Sequence, residues 1–272
     1  MTAFPIAYNN GRSPRILVTN DDGIEAEGLA CLARVASALS DDVWICAPAN
    51  EASGVGHAIT LHRPLRIRHL EAQRYTVDGT PTDCVLLAIN DLLSDRKPDL
   101  VLSGVNHGSN IGDDVTYSGT IGAAMEATLL GVPAVAVSLE INDQDPRWDT
   151  VEHHAPGVIA AMVNNPWPAA TLYNLNFPDQ RPDAVKPLRV VPHGTRKLGD
   201  DISHHRDPRG RSYTWIGPAR RHAVESGQDT DVSAIHEGHM TVTPIALDLT
   251  NYTAMRGLEE RLAQPAAEAA VL

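Results

Sequence analysis

Between Arg15 and Leu139 short β-branched runs alternate with longer stretches of helical period, and that alternation restricts the chain to a parallel sheet with crossover helices. The strands read as RILVT (Arg15 to Thr19), VWICA (Val43 to Ala47), DLVLS (Asp99 to Ser103) and AVAVS (Ala134 to Ser138), all apolar enough to be covered on both faces. Leu29, Leu32, Ala36 and Leu39 keep three-and-four spacing between the first two strands. Val85, Leu86, Ile89, Leu92 and Leu93 do so before the third. A further helix starts near Gly119, carries Ile121, Ala124, Met125 and Leu129 on one side, and stops at Gly131 and Pro133.

Between Ser53 and Thr80 the text changes to HAITLHRPLRIRHL and RYTVDG, which predict an inserted β-hairpin whose strands need not join the main sheet. After Trp148 the spacing predicts a helix around Gly157 to Asn164, strands TLYNLNF and LRVVP, and a polar stretch GTRKLGDDISHHRDPRGRS. HMTVTPIALDL alternates like a strand, but Pro244 favours an edge position; a short helix and an Ala-rich tail follow. With no repeats and no linker of biased composition, one domain over residues 1–272 is expected: a core at about 15–140 and a C-terminal lobe at about 141–272.

The chain carries 34 Asp and Glu against 22 Lys and Arg, a net charge of −12, which argues against duplex nucleic acid as the main partner. The longest nearly uninterrupted apolar run, Leu129 to Val137, falls far short of the roughly 20 residues of a membrane span. The opening MTAFPIAYNNGRSP has no basic patch leading into an apolar segment, so a cytoplasmic location is expected. Cys31, Cys46 and Cys84 form no CxxC spacing and are expected as reduced, buried thiols.

In a parallel sheet ligands bind beyond the carboxyl ends of the strands, and three such loops here are chemically loaded. The first strand runs into Asn20, Asp21, Asp22 and Gly23. Helix capping explains one of the two acids. Two carboxylates about 4 Å apart repel by about 4 kcal/mol at an effective dielectric of about 20, so the pair also predicts a proton or a cation between them. After the second strand, Ser53, Gly54 and Gly56 form a small-residue loop able to bring N–H groups to an anion. After the third, Ser103, Asn106, Asn110, Asp113, Asp114, Ser118 and Thr120 crowd SGVNHGSNIGDDVTYSGT. Its closing Ser118-Gly119-Thr120 stands at a helix start that suits either a phosphate or an ordinary hydroxyl cap.

Oxygen donors from Asp21, Asp22, Ser53 and Asn106 suit Mg²⁺ or Mn²⁺ rather than zinc. GxGxxG fails at Ile59, and GxxxxGK[ST], GxSxG and HExxH are absent, which disfavours the corresponding nucleotide-binding modes, serine hydrolases and zincins. A haloacid-dehalogenase-type phosphatase would need DxD, and Asn20 stands at its first position. Arg206, Arg209, Arg211, Arg220 and Arg221 are a basic concentration suited to a second phosphate, a solvated loop or a subunit contact.

NDDG, PxxxxSGxGxxIT, GTPTDC and SGVNxGxNxGxDVxYSGTxGAAMEA, followed by DPRGRSYTWIG and TDVSAIHEG, strongly resemble the SurE-type nucleotidases over nearly the whole chain. The resemblance implies a Rossmann-like, three-layer α/β core with a mainly parallel sheet and an exchanged C-terminal arm, in a homodimer or homotetramer. It further implies a 5′-nucleotidase with one divalent metal ion per subunit, acting on nucleoside 5′- and 3′-monophosphates and on short polyphosphate. Carried over by position, the metal ligands are Asp21, Asp22, Ser53 and Asn106, and the phosphate contacts Gly54, Asn110, Ser118, Gly119 and Thr120. The catalytic set is then Asp21, Asp22, Asn110, Ser118 and Thr120, with Asp21 or Asp22 as ligand, base or nucleophile. His107 and Ala127 depart from the family pattern. The rival expectation is a protein that senses nucleotide or phosphate without turning it over.

Overall fold

A computed structural model describes residues 12–142, 145–196, 202–217 and 229–263. Four strands fall where the apolar runs stand: β1 (Arg15–Thr19), β2 (Asp42–Pro48), β5 (Leu100–His107) and β6 (Ala134–Leu139). They pair in parallel, with β1 between β2 and β5. Because the chain leaves β1 to one side for β2 and returns on the other for β5, the crevice beyond the β1 and β5 ends is a topological switch point.

Alternate residues of β1 serve opposite layers. Ile16 and Val18 enter a core with α1 (Glu27–Leu39) and α4 (Trp148–Val163). Leu17 enters a second core with α2 (Pro81–Leu87) and α3 (Gly119–Leu129). The result is a three-layer α/β/α arrangement. Helix α2 is fixed by GTPTDC itself: Thr80 and Asp83 form a reciprocal capping box with Pro81 at the first helical position, after which Ala88–Leu92 widens into a π turn.

One open point is settled and two expectations change. The hairpin β3 (Ile67–Glu71) and β4 (Arg74–Val77) joins the main sheet, β4 pairing in parallel with β2. The helix placed around Gly157 begins earlier, at Trp148. The strand with Pro244 is not an edge strand: β11 (His239–Ala246) lies between β7 (Thr171–Phe177) and β8 (Lys186–Val190). Pro244 is tolerated because β8 has ended by then; its last register partner is Val242, while Pro244 pairs only with Tyr173 of β7.

The sheet order is β3-β4-β2-β1-β5-β6-β7-β11-β8, so it continues through residue 140, with β7 parallel to β6. The polar stretch after Gly194 contains β9 (Ile202–Arg206), which with β10 (Ser212–Ile216) makes a separate exposed ribbon. Short α5 (Asp231–His236) precedes β11, and α6 (Tyr252–Ala263) ends the described chain. All three cysteines are free and buried. Among the described residues no helix is long and apolar enough to cross a membrane.

Candidate active site

The turn after β1 is built by Asn20, not by the acids. Asn20 Nδ2 donates to the Gly23 carbonyl at 2.9 Å and its Oδ1 accepts from Gly23 N at 3.3 Å. Helix α1 starts only at Glu27, with Ala26 as N-cap and no side-chain cap, so neither Asp21 nor Asp22 is a helix cap.

Asp21 is 3% exposed, and burial pushes its carboxyl up to about 6 despite opposing hydrogen bonds from Thr120. Asp22, half-buried, is also raised by burial, against the His107 N–H that donates to its Oδ2 at 3.2 Å. The neighbouring charges make matters worse: Asp22 acts on Asp21, and Glu51 on Asp22.

Helix α3 presents its first turn to Asp21. Thr120 Oγ1 donates to Asp21 Oδ1 at 2.5 Å and lies 3.3 Å from Asn106 Oδ1. The hydroxyl has one proton for two oxygens; with that proton on Asp21, the Asn106 oxygen faces another acceptor. Asn106 Nδ2 meanwhile donates to the Gly108 carbonyl at 2.8 Å, which fixes the amide's orientation. Gly119 is required here, because a Cβ would stand 2.8 Å from Asp21 Cβ. Ser118 caps α3, accepting from Ile121 N at 3.2 Å and keeping its O–H as a donor, so the hydroxyl-cap reading of this serine holds.

The glycine loop is pinned on two sides: Ala52 N donates to the Asp21 carbonyl and Gly56 N to the Tyr117 carbonyl, both at 2.8 Å. Helix α3 approaches so closely that a Cβ on Gly122 would lie 2.5 Å from Gly56 O. His57 Nε2 then meets the buried Glu126 Oε2 at 2.9 Å. Ser53 is exposed and its hydroxyl donates to Glu51 at 3.0 Å. The loop is thus brought beside the acidic pair, while the serine hydroxyl itself turns to a third acid.

Asn110 is held in a buried amide ladder. Its Nδ2 donates to Ser138 Oγ at 2.9 Å, its N–H to Asn176 Oδ1, and its carbonyl accepts from Asn174 and Asn176. These partners were missed in the sequence, although two asparagines at alternate positions of TLYNLNF mark one strand face as polar. Also missed was the clasp at Asp231, fully buried, whose carboxylate accepts from the N–H groups of Gly112 and Gly194 and meets His193 Nδ1 at 2.9 Å. It docks the C-terminal segment on the asparagine loop. Of the arginine group, Arg206, Arg209 and Arg211 lie on the exposed β9–β10 ribbon; Arg220 and Arg221 lie outside the described residues.

Among the described residues no three His, Cys, Asp or Glu side chains converge as a metal cluster. The oxygens gathered at this strand end are those of two carboxylates, an amide and a hydroxyl. The donor set fits a hard divalent ion: buried carboxylates that repel one another, an amide oxygen facing an acceptor, and no sulfur.

The sequence model of the family described as Survival protein SurE matches residues 16–200. The chain is 49% identical to 5′-nucleotidase SurE of Paramagnetospirillum magneticum over 260 residues, 95% of this chain and 99% of that one. It is 51% identical to 5′-nucleotidase SurE of Rhodospirillum rubrum over 249 residues, 90% of this chain and 94% of the relative. The crystal structure of the SurE protein from Aquifex aeolicus superposes with a TM-score of 0.81 at 36% identity, covering 92% of this chain and all of that one. The chain belongs to the SurE family.

Proposed function

We propose that this SurE-family chain is a divalent-metal-dependent 5′-nucleotidase that hydrolyses nucleoside monophosphates to nucleoside and phosphate. The observation that carries the site is the buried Asp21, raised to about 6 and lying beside Asp22 at the strand end. Asp21, Asp22, Ser53 and Asn106 would hold one Mg²⁺ or Mn²⁺, which when bound supplies charge stabilisation for phosphoryl transfer. To join them, the exposed Ser53 hydroxyl has to leave Glu51, to which it donates.

The chain's own groups do the positioning. Ser118 O–H, the Gly119 N–H and the backbone of Gly54 bind phosphate oxygens at the positive end of α3. Thr120 holds Asp21 in place and supplies donors to its charged form, and Asn110 sets the loop from beneath through Ser138 and Asn176. Asp22, the more accessible carboxylate, is the better placed to take a proton from attacking water.

Activity on 3′-monophosphates and short polyphosphate belongs to the same proposal, as do a cytoplasmic location and a homodimer or homotetramer. The β9–β10 ribbon supports assembly: an isolated two-stranded hairpin is marginal in water, and this one exposes Ile202, Tyr213, Trp215 and Ile216. On this reading the chain is one domain with residues 202–217 as its arm.

Phosphate release from a panel of mononucleotides and polyphosphate, with Mg²⁺ or Mn²⁺ and after chelation, tests the proposal. Metal-dependent release supports it; saturable nucleotide binding without release would instead establish a sensor.

A further inference from the structure

An aromatic pair stands beside the acidic site. His107 ends β5, and its N–H donates to Asp22 Oδ2, so its side chain springs from backbone already touching the acidic pair while the residue stays exposed. Trp148, the first residue of α4, stands beside it with ring centroids 6.3 Å apart and planes at 54°.

Trp148 is anchored from behind. Its Nε1 donates to Glu27 Oε2 at 3.2 Å, its carbonyl accepts the Cys31 thiol at 3.7 Å, and Gly28 passes so near that a Cβ there would lie 3.3 Å from the indole. The indole thus stands tilted beside an imidazole whose residue is exposed. An exposed residue at a strand end contributes little to the core.

We propose that His107 and Trp148 form the nucleobase subsite, the base lying on the exposed imidazole with the indole as a fixed wall. The inference rests on the nucleotidase reading and assigns the part of the substrate that Asp21, Asp22 and α3 do not touch. The pair adjoins the phosphate end through its neighbours: Asn106, next to His107, lies 3.3 Å from Thr120 of α3, and the His107 N–H donates to Asp22. Stacking uses the π-face that every base has, so the subsite favours nucleotides over phosphomonoesters lacking a base and discriminates weakly among bases.

The test compares kcat/KM for adenosine 5′-monophosphate with that for ribose 5-phosphate, with Mn²⁺, in the full chain and in His107→Ala, His107→Phe and Trp148→Leu. The nucleotide-to-sugar ratio should fall about tenfold in His107→Ala, equivalent to about 1.4 kcal/mol. The fall should lie in KM, return in His107→Phe, and be smaller in Trp148→Leu. An unchanged ratio, or equal losses on both substrates, overturns the subsite while leaving the nucleotidase reading intact. No phosphate release from either substrate by the unaltered protein overturns both.

Discussion

Thr120 donates its hydroxyl to Asp21 at 2.5 Å, across 99 positions of sequence, and so joins the start of α3 to the end of β1. Both residues are buried, and the bond favours the charged form of a carboxylate that burial disfavours. Thr120→Val removes the hydroxyl donor and leaves the buried carboxylate only its backbone donors, a loss of about 1–3 kcal/mol. Turnover should fall at least tenfold, and Thr120→Ser should restore most of it. Steady-state kinetics of the two variants checks this; equal loss in both would show that the methyl group matters instead of the hydroxyl.

Asp21→Asn separates function from stability. Removing a buried carboxylate relieves its desolvation and the repulsion from Asp22, while the amide oxygen still accepts from Thr120. Nucleotidase turnover should vanish. In chelator the variant should unfold at higher urea than the parent, as expected where a site is held in an unfavourable charge state. A stability loss in chelator would contradict the view that this carboxylate is destabilising without a cation.

The pH dependence follows from the sign of the same shift. The Asp21 carboxyl is raised from 3.8 to about 6, so the folded chain holds its proton more tightly than the unfolded chain does. Its stability cost is absent below about pH 4, grows between about 4 and 6, and reaches about 3 kcal/mol above that. Urea midpoints of the parent and Asp21→Asn, both in chelator, should therefore coincide near pH 4 and diverge toward pH 7. With cation present, protons compete for the same oxygens, so the Mn²⁺ needed for half-maximal turnover should rise as pH falls below about 6.

The core was legible because its strands are covered on both faces and its helices keep a clean period, so local pattern and global layer agree. Pro244 misled for a physical reason: proline excludes one ladder on one side, and the sequence does not say where the neighbouring β8 stops. The hairpin's entry into the sheet was likewise invisible, because pairing of β4 with β2 depends on spatial adjacency instead of composition.

At the site, two adjacent acids after a buried strand announced themselves, but their partners did not. Thr120 reads as a phosphate ligand or a cap in the sequence; only folding brings it onto Asp21. The amide ladder of Asn110, Asn174 and Asn176 spans 66 positions, and the Asp231 clasp reaches Gly112 across 119. No local spacing encodes contacts of that range.

Gly119→Ala tests how tightly α3 and β1 are fitted. Alanine in a first helical turn is ordinarily favourable. Here the new methyl would stand 2.8 Å from Asp21 Cβ, 3.0 Å from its Oδ2 and 3.1 Å from Pro81 Cγ. The Asp21 β-carbon is fixed by the strand end, so either α3 retreats or the carboxylate turns and loses Thr120. We expect turnover to drop about a hundredfold or more, with a stability loss of about 1–3 kcal/mol. Gly157→Ala, in α4 with no atom within 4 Å of the added Cβ, is the control. It should gain about 0.5–1 kcal/mol and leave turnover unchanged. Matching kinetics for the two variants would mean that the close approach of Gly119 to Asp21 has no part in the chemistry.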